Sequence, residues 1–102
     1  PPVFVDVGAN LGAYTLAVAH AGYPVYAVEG LPANIRLLRS SLCVNPGLMA
    51  RVTLFDTGVS SEERICRVYT NDQNLGEGTL DCSGGNVTWG GIATSGKMHL
   101  RR

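Results

Sequence analysis

The feature that most constrains this chain is a run of β-branched and aromatic residues that stops at a glycine and passes straight into an alanine-rich stretch. Val3-Phe-Val-Asp-Val7 has the composition of a short buried strand, and Gly8 ends it. From Leu11 to Ala21 the pattern is helical, with Leu11, Thr15 and Val18 near one face, Leu16 beside it, and several alanines. Gly22 supplies a natural stop just past the helix end. The same alternation then repeats. Pro24 to Glu29 is strand-like. Leu31 to Val44 predicts a second helix, with Pro32 in its first turn and Ile35, Leu38 and Leu42 recurring at helical steps. Asn45-Pro46-Gly47 ends that helix, and Arg51 to Phe55 reads as a third strand.

Strand, helix, strand, helix, strand implies parallel pairing with right-handed crossovers. The expected class is α/β: a partial Rossmann-like, doubly wound parallel sheet, one mononucleotide-binding half of that fold. Beyond Asp56 the pattern changes. Ser60 to Glu63 is turn-like, and Ile65 to Tyr69 suggests a strand with Thr79 to Cys82 as its partner. Asn71 to Gly78 reads as a loop between them, and the Gly-, Ser- and Thr-rich stretch 83–96 is expected to be weakly ordered. The expected division is a folded unit over 1–82 and an irregular tail over 83–102. His99, Lys97, Arg101 and Arg102 read as solvated charges of that tail.

The 102 residues, 45% hydrophobic, suffice for one small core. Eight basic and eight acidic residues give zero formal net charge, which is not the basic footprint of a nucleic-acid binder. No apolar run approaches the roughly 20 residues that span a bilayer, so no membrane segment is expected. No signal peptide is visible, although the chain starts at Pro1 without a Met. Cys43, Cys66 and Cys82 form neither a CxxC pair nor a zinc pattern, and no metal is expected. Reduced thiols are the expectation, which favours a cytoplasmic setting. Asn86-Val-Thr88 fits a glycosylation sequon, a triplet that arises often by chance.

The chemistry concentrates in Asp6-x-Gly8-x-Asn10-x-Gly12. Glycines let the backbone turn tightly and let a ligand approach the main chain. The helix start offers free N–H groups and a positive dipole end, which suit a carboxylate or a phosphate. A tight turn that binds nothing has the same sequence. Glu29 ends the second strand, and an acid roughly 20 residues after such a turn accepts ribose hydroxyls in dinucleotide-binding folds. It serves equally as a helix-capping carboxylate. Asp56 ends the third strand, so Asp6, Glu29 and Asp56 are expected on one rim. Asp56 can accept from an adenine amino group or cap the next turn.

A nicotinamide cofactor favours Gly-x-Gly-x-x-Gly/Ala, but Asn10 replaces the second glycine. An acid beside the turn and backbone N–H groups suit a zwitterionic amino-acid moiety, as in S-adenosyl-L-methionine. No Lys or Arg lies within 6–15, which argues against a phosphate.

Together, Phe4 to Thr15, Val25 to Glu29, Asn34 to Asn45 and Val52 to Ser60 resemble the FkbM-type methyltransferases, and the resemblance covers about residues 3–82 in order and spacing. It implies a class I fold and S-adenosyl-L-methionine-dependent O-methylation of a sugar, glycan or small-molecule hydroxyl. It implies that Gly8, Ala9, Asn10 and Gly12 line the methionine part, that Glu29 holds the ribose and that Asp56 lies near the adenine. Two departures stand out. Gly30 occupies a position where the family usually shows Pro, and the family's next acidic Lys-Ile-Asp-x-Glu-Gly-like strand is absent. The expectation is an incomplete, cofactor-binding part of a methyltransferase, inactive by itself and with no catalytic residue assignable. The alternatives are an NAD(P)-dependent oxidoreductase fragment and a non-catalytic fragment that binds a partner.

Overall fold

The computed structural model describes residues 2–71, 74–82 and 93–102. The N-terminal half is a three-stranded parallel sheet, ordered β1 (Phe4–Val7), β2 (Val25–Val28), β3 (Val52–Phe55). Its register is set by Phe4 opposite Val25 and Val25 opposite Val52, so Val7, Val28 and Phe55 end the strands side by side. The crossovers carry α1 (Ala13–His20) and α2 (Pro32–Cys43). The chain is thus mixed α/β with parallel strands, as the alternation predicts.

Helix α1 ends in a Schellman arrangement: Gly22, at φ +101°, donates to the Ala19 carbonyl at 3.0 Å, and Tyr23 donates to the Val18 carbonyl at 3.3 Å. Helix α2 starts with Pro32 in its first turn and buries Asn34, Ile35, Leu38 and Leu42 on one stripe. Of these, Leu38 and Leu42 form one core cluster with Ala9, Ala19, Val25 and Ala27, and Leu16, Val52 and Leu54 pack against it. Leu38 and Val25 are fully buried, and burial of side chains of this size stabilises by about 1.5–3 kcal/mol each. Asn45-Pro46-Gly47 does end α2, but Pro46 also opens a further helical turn, α3 (Pro46–Met49). Proline is well placed at such a start because its missing N–H would have no partner there.

The opposite face of this sheet is bare among the described residues. Val5, Val7, Tyr26 and Phe55 point there and are 45–66% exposed. Both crossovers run in the same direction across the sheet, so their helices share the other face.

After β3 the chain forms a second sheet from β4 (Gly58–Val59), β5 (Arg64–Asn71), β6 (Asn74–Asp81) and β7 (Ala93–Arg101), in the order β4-β7-β5-β6. The expected strand at 65–69 lies within β5, and the one at 79–82 covers the end of its antiparallel partner β6, which stops at Asp81. The expected loop at 71–78 is corrected where the chain is described: Asn71 ends β5, residues 74–78 belong to β6, and residues 72–73 lie outside the described residues. The expected loose tail is also corrected: residues 93–101 form β7, which pairs antiparallel with β5 and parallel with β4. β6 carries two glycines and no regular apolar alternation, so its neighbours and not its own composition hold it extended, whereas Lys97 to Arg101 alternates Met98 and Leu100 with charged and polar residues, the period of a strand. Residues 83–92, including the sequon at Asn86, lie outside the described residues.

The cysteines require a third correction. Cys66 and Cys82 form a disulfide, and only Cys43 is free and exposed. Arg67 pairs with Asp81, so one step further along the ladder sets Cys66 opposite Cys82. The bond therefore clips β5 to β6, and it removes the basis on which the thiols favoured a cytoplasmic setting.

Candidate functional site

The turn after β1 is built from left-handed backbone. Gly8 has φ +78°, Asn10 +58° and Gly12 +95°. Gly8 and Ala9 both donate to the Val28 carbonyl, at 2.8 and 3.0 Å, which folds the turn back over the end of β2. Gly12 needs more than its φ: a Cβ there would overlap Leu38 Cδ1, so its hydrogen is what lets α1 approach α2. No such obstruction surrounds Gly8, where added atoms would meet open space. The outer side of the turn is a concavity of about 360 Å³, lined by Gly8, Ala9, Asn10, Leu11, Ala13 and Tyr14.

The three carboxylates have three different roles. Asp6 lies one residue below the rim and is buried. Its Oδ2 accepts from the Thr15 hydroxyl at 2.7 Å, bracing β1 against α1. Glu29 is also buried, with Oε1 accepting from the Asn10 N–H at 2.7 Å and Oε2 from the Leu31 N–H at 2.9 Å. It thus joins the glycine turn to the residue that caps α2. Each carboxylate oxygen retains a second lone pair. Asp56 reaches the same rim but is exposed, and it pairs with Arg39 at 3.1 Å. It faces a separate crevice, so the geometry joins Asp6, Glu29 and the turn but sets Asp56 apart from them.

That crevice lies between α2 and β7. Arg36, Arg39, Asp56, Lys97 and His99 line it, with Pro32 and Ile35 as apolar walls. Lys97 and His99 are exposed, as expected of solvated charges, but they stand on a strand and not in a tail. Between them, Met98 is seated on Gly30. A Cβ at Gly30 would stand 2.6 Å from Met98 Sδ and 2.8 Å from the Gly58 nitrogen. Glycine at this position is therefore what β7 requires to cross the rim.

The sequence reading missed Thr15 as the partner of Asp6, although its position on the inward helical face was legible. It also missed Arg36, Arg39, Lys97 and His99 as one cluster, which no local pattern could reveal. His20 is exposed on α1. Among the described residues no group of His, Cys, Asp and Glu could hold a metal ion, and no helix is long and apolar enough to cross a membrane. Comparison with protein-family models, with curated proteins and with solved structures finds no match.

Proposed function

We propose that the rim of the parallel sheet is the S-adenosyl-L-methionine half-site of a Rossmann-like, class I methyltransferase, serving methyl transfer to a sugar, glycan or small-molecule hydroxyl. The observation that carries this reading is the contact between Asn10 and Glu29. The glycine turn and the acid at the end of β2 are 19 residues apart in sequence and 2.7 Å apart in space. Ligands of open α/β sheets bind outside the carboxyl ends of the strands, where this contact lies. The resemblance to FkbM-type methyltransferases supports the same assignment.

In this reading the concavity beside Gly8, Ala9, Asn10 and Gly12 takes the methionine moiety, whose carboxylate meets main-chain N–H groups at the start of α1. The free lone pairs of Glu29 accept the ribose hydroxyls. Asp6 acts by holding Thr15, and hence α1, in place. The Tyr14 ring, 72% exposed at the mouth of the concavity, offers a face to the ligand. Methyl transfer depends chiefly on in-line positioning of the acceptor, and no residue near the turn is assigned as a base. The test is binding of S-adenosylhomocysteine to the wild type and to Glu29→Ala. At least a tenfold weaker affinity in the variant supports the reading, and equal affinity removes Glu29 from the site.

One observation favours a second reading, an NAD(P)-dependent oxidoreductase. The cations that residues 6–15 lack are present on the nucleoside side, as Arg36 and Lys97. An arginine there can accommodate the 2′-phosphate of a phosphorylated dinucleotide.

A further inference from the structure

We propose that the crevice between α2 and β7 binds a phosphate monoester. It has a volume of about 270 Å³ and opens on the same rim as Gly30 and Asp56. Three fixed cations, Arg36, Arg39 and Lys97, line it, against one carboxylate among the described residues. That carboxylate, Asp56, is already held by Arg39 at 3.1 Å. Arg36 and Lys97 have no carboxylate partner among the described residues. The crevice thus carries an excess of two positive charges in a chain whose formal net charge is zero.

The chemistry of the ligand follows from that excess. A phosphate monoester carries about −1.5 to −2 charge at pH 7 and three acceptor oxygens. Its charge matches Arg36 and Lys97 together, where a single carboxylate would match only one of them. The Arg36 fork can hold two oxygens, the Lys97 ammonium acts as a point charge, and a His99 N–H can serve the third. Pro32 and Ile35 give the organic part of the ester an apolar wall on which to lie. The cluster exists only because β7 crosses the rim with Met98 on Gly30, which delivers Lys97 and His99 to the face of α2 that bears Arg36.

The site is distinct from the glycine turn and does not depend on the methyltransferase reading. S-adenosylhomocysteine has no phosphate, so its binding reports on the turn, and phosphate-dependent binding reports on the crevice. The experiment is a calorimetric titration of the whole chain at low salt with inorganic phosphate, adenosine monophosphate and adenosine. Arg36→Gln, Lys97→Gln and, as a cation elsewhere, Arg102→Gln are titrated in parallel, with circular dichroism to establish that each is folded. Adenosine monophosphate is expected to bind at least tenfold more tightly than adenosine. Inorganic phosphate separates the source: affinity weaker than the nucleotide's supports an ester, and affinity equal to the nucleotide's overturns the ester in favour of the free ion. Arg36→Gln and Lys97→Gln each lose about tenfold or more, the scale of one charge-assisted hydrogen bond, and Arg102→Gln is unchanged. Equal binding of adenosine and its monophosphate, absence of binding by the monophosphate, or its undiminished binding in both crevice variants overturns the proposal.

Discussion

The Asn10 main-chain N–H donates to Glu29 Oε1 at 2.7 Å, tying the glycine turn to the end of β2. The other oxygen of the same carboxylate holds the Leu31 N–H at 2.9 Å, so one side chain fixes the turn and the entry to α2 together. Removing it leaves a buried main-chain donor at Leu31 without its acceptor. Glu29→Ala is expected to lower the unfolding free energy by about 1–3 kcal/mol, and Glu29→Gln, which keeps one oxygen acceptor, by less. Urea denaturation of the two variants checks the order. Equal losses would show that side-chain volume, and not the paired main-chain contacts, is what matters there.

Thr15 is fully buried and donates to Asp6 at 2.7 Å. Thr15→Val preserves the shape and removes the hydroxyl, leaving a buried carboxylate oxygen short of a donor. The expected loss is about 1–3 kcal/mol in denaturant unfolding. A change below about 0.5 kcal/mol would mean that water replaces the hydroxyl at this position.

Gly8 and Gly12 both have left-handed backbone, but only Gly12 lacks room. Gly8→Ala should cost about 1–2 kcal/mol, the strain of that backbone alone. Gly12→Ala should cost clearly more, because its Cβ overlaps Leu38 in the core. Thermal unfolding of the pair distinguishes strain from strain plus overlap, and the reverse order would contradict the packing described.

The Cys66–Cys82 disulfide closes a loop between residues separated by 16 positions. A loop of that length is stabilised by about 3 kcal/mol in the chain-entropy model. Reduction, or Cys66→Ala together with Cys82→Ala, should lower the unfolding free energy on that scale. Intact mass under alkylating conditions should show one free thiol before reduction and three after it, and three thiols before reduction would refute the pairing.

The parallel half of the fold was legible because its signals are local. Strand composition, a helical stripe at Ile35, Leu38 and Leu42, and stops at Gly22 and Asn45 each lie within a few residues. The turn and Glu29 were legible for the same reason, but their contact was not, since it joins residues from two elements. The second half was mostly illegible. β6 is polar with two glycines and is held extended by β5 beside it, whereas the alternation of Met98 and Leu100 in β7 was a strand signal hidden among the charges of 97–102. The pairing of Cys66 with Cys82 was available once 65–69 and 79–82 were set antiparallel, because adjacent ladder positions place the two opposite each other. The departure at Gly30 has a reason only in three dimensions, where Met98 occupies the space that a larger residue would need.

The central claim concerns which ligand the turn and Glu29 accept, and calorimetric titration with S-adenosylhomocysteine and with NAD, which carries no phosphate monoester, tests it most directly. The account predicts binding of S-adenosylhomocysteine, weakened at least tenfold by Glu29→Ala, with NAD binding more weakly to the wild type. Tighter binding of NAD, or no binding of S-adenosylhomocysteine, would contradict it.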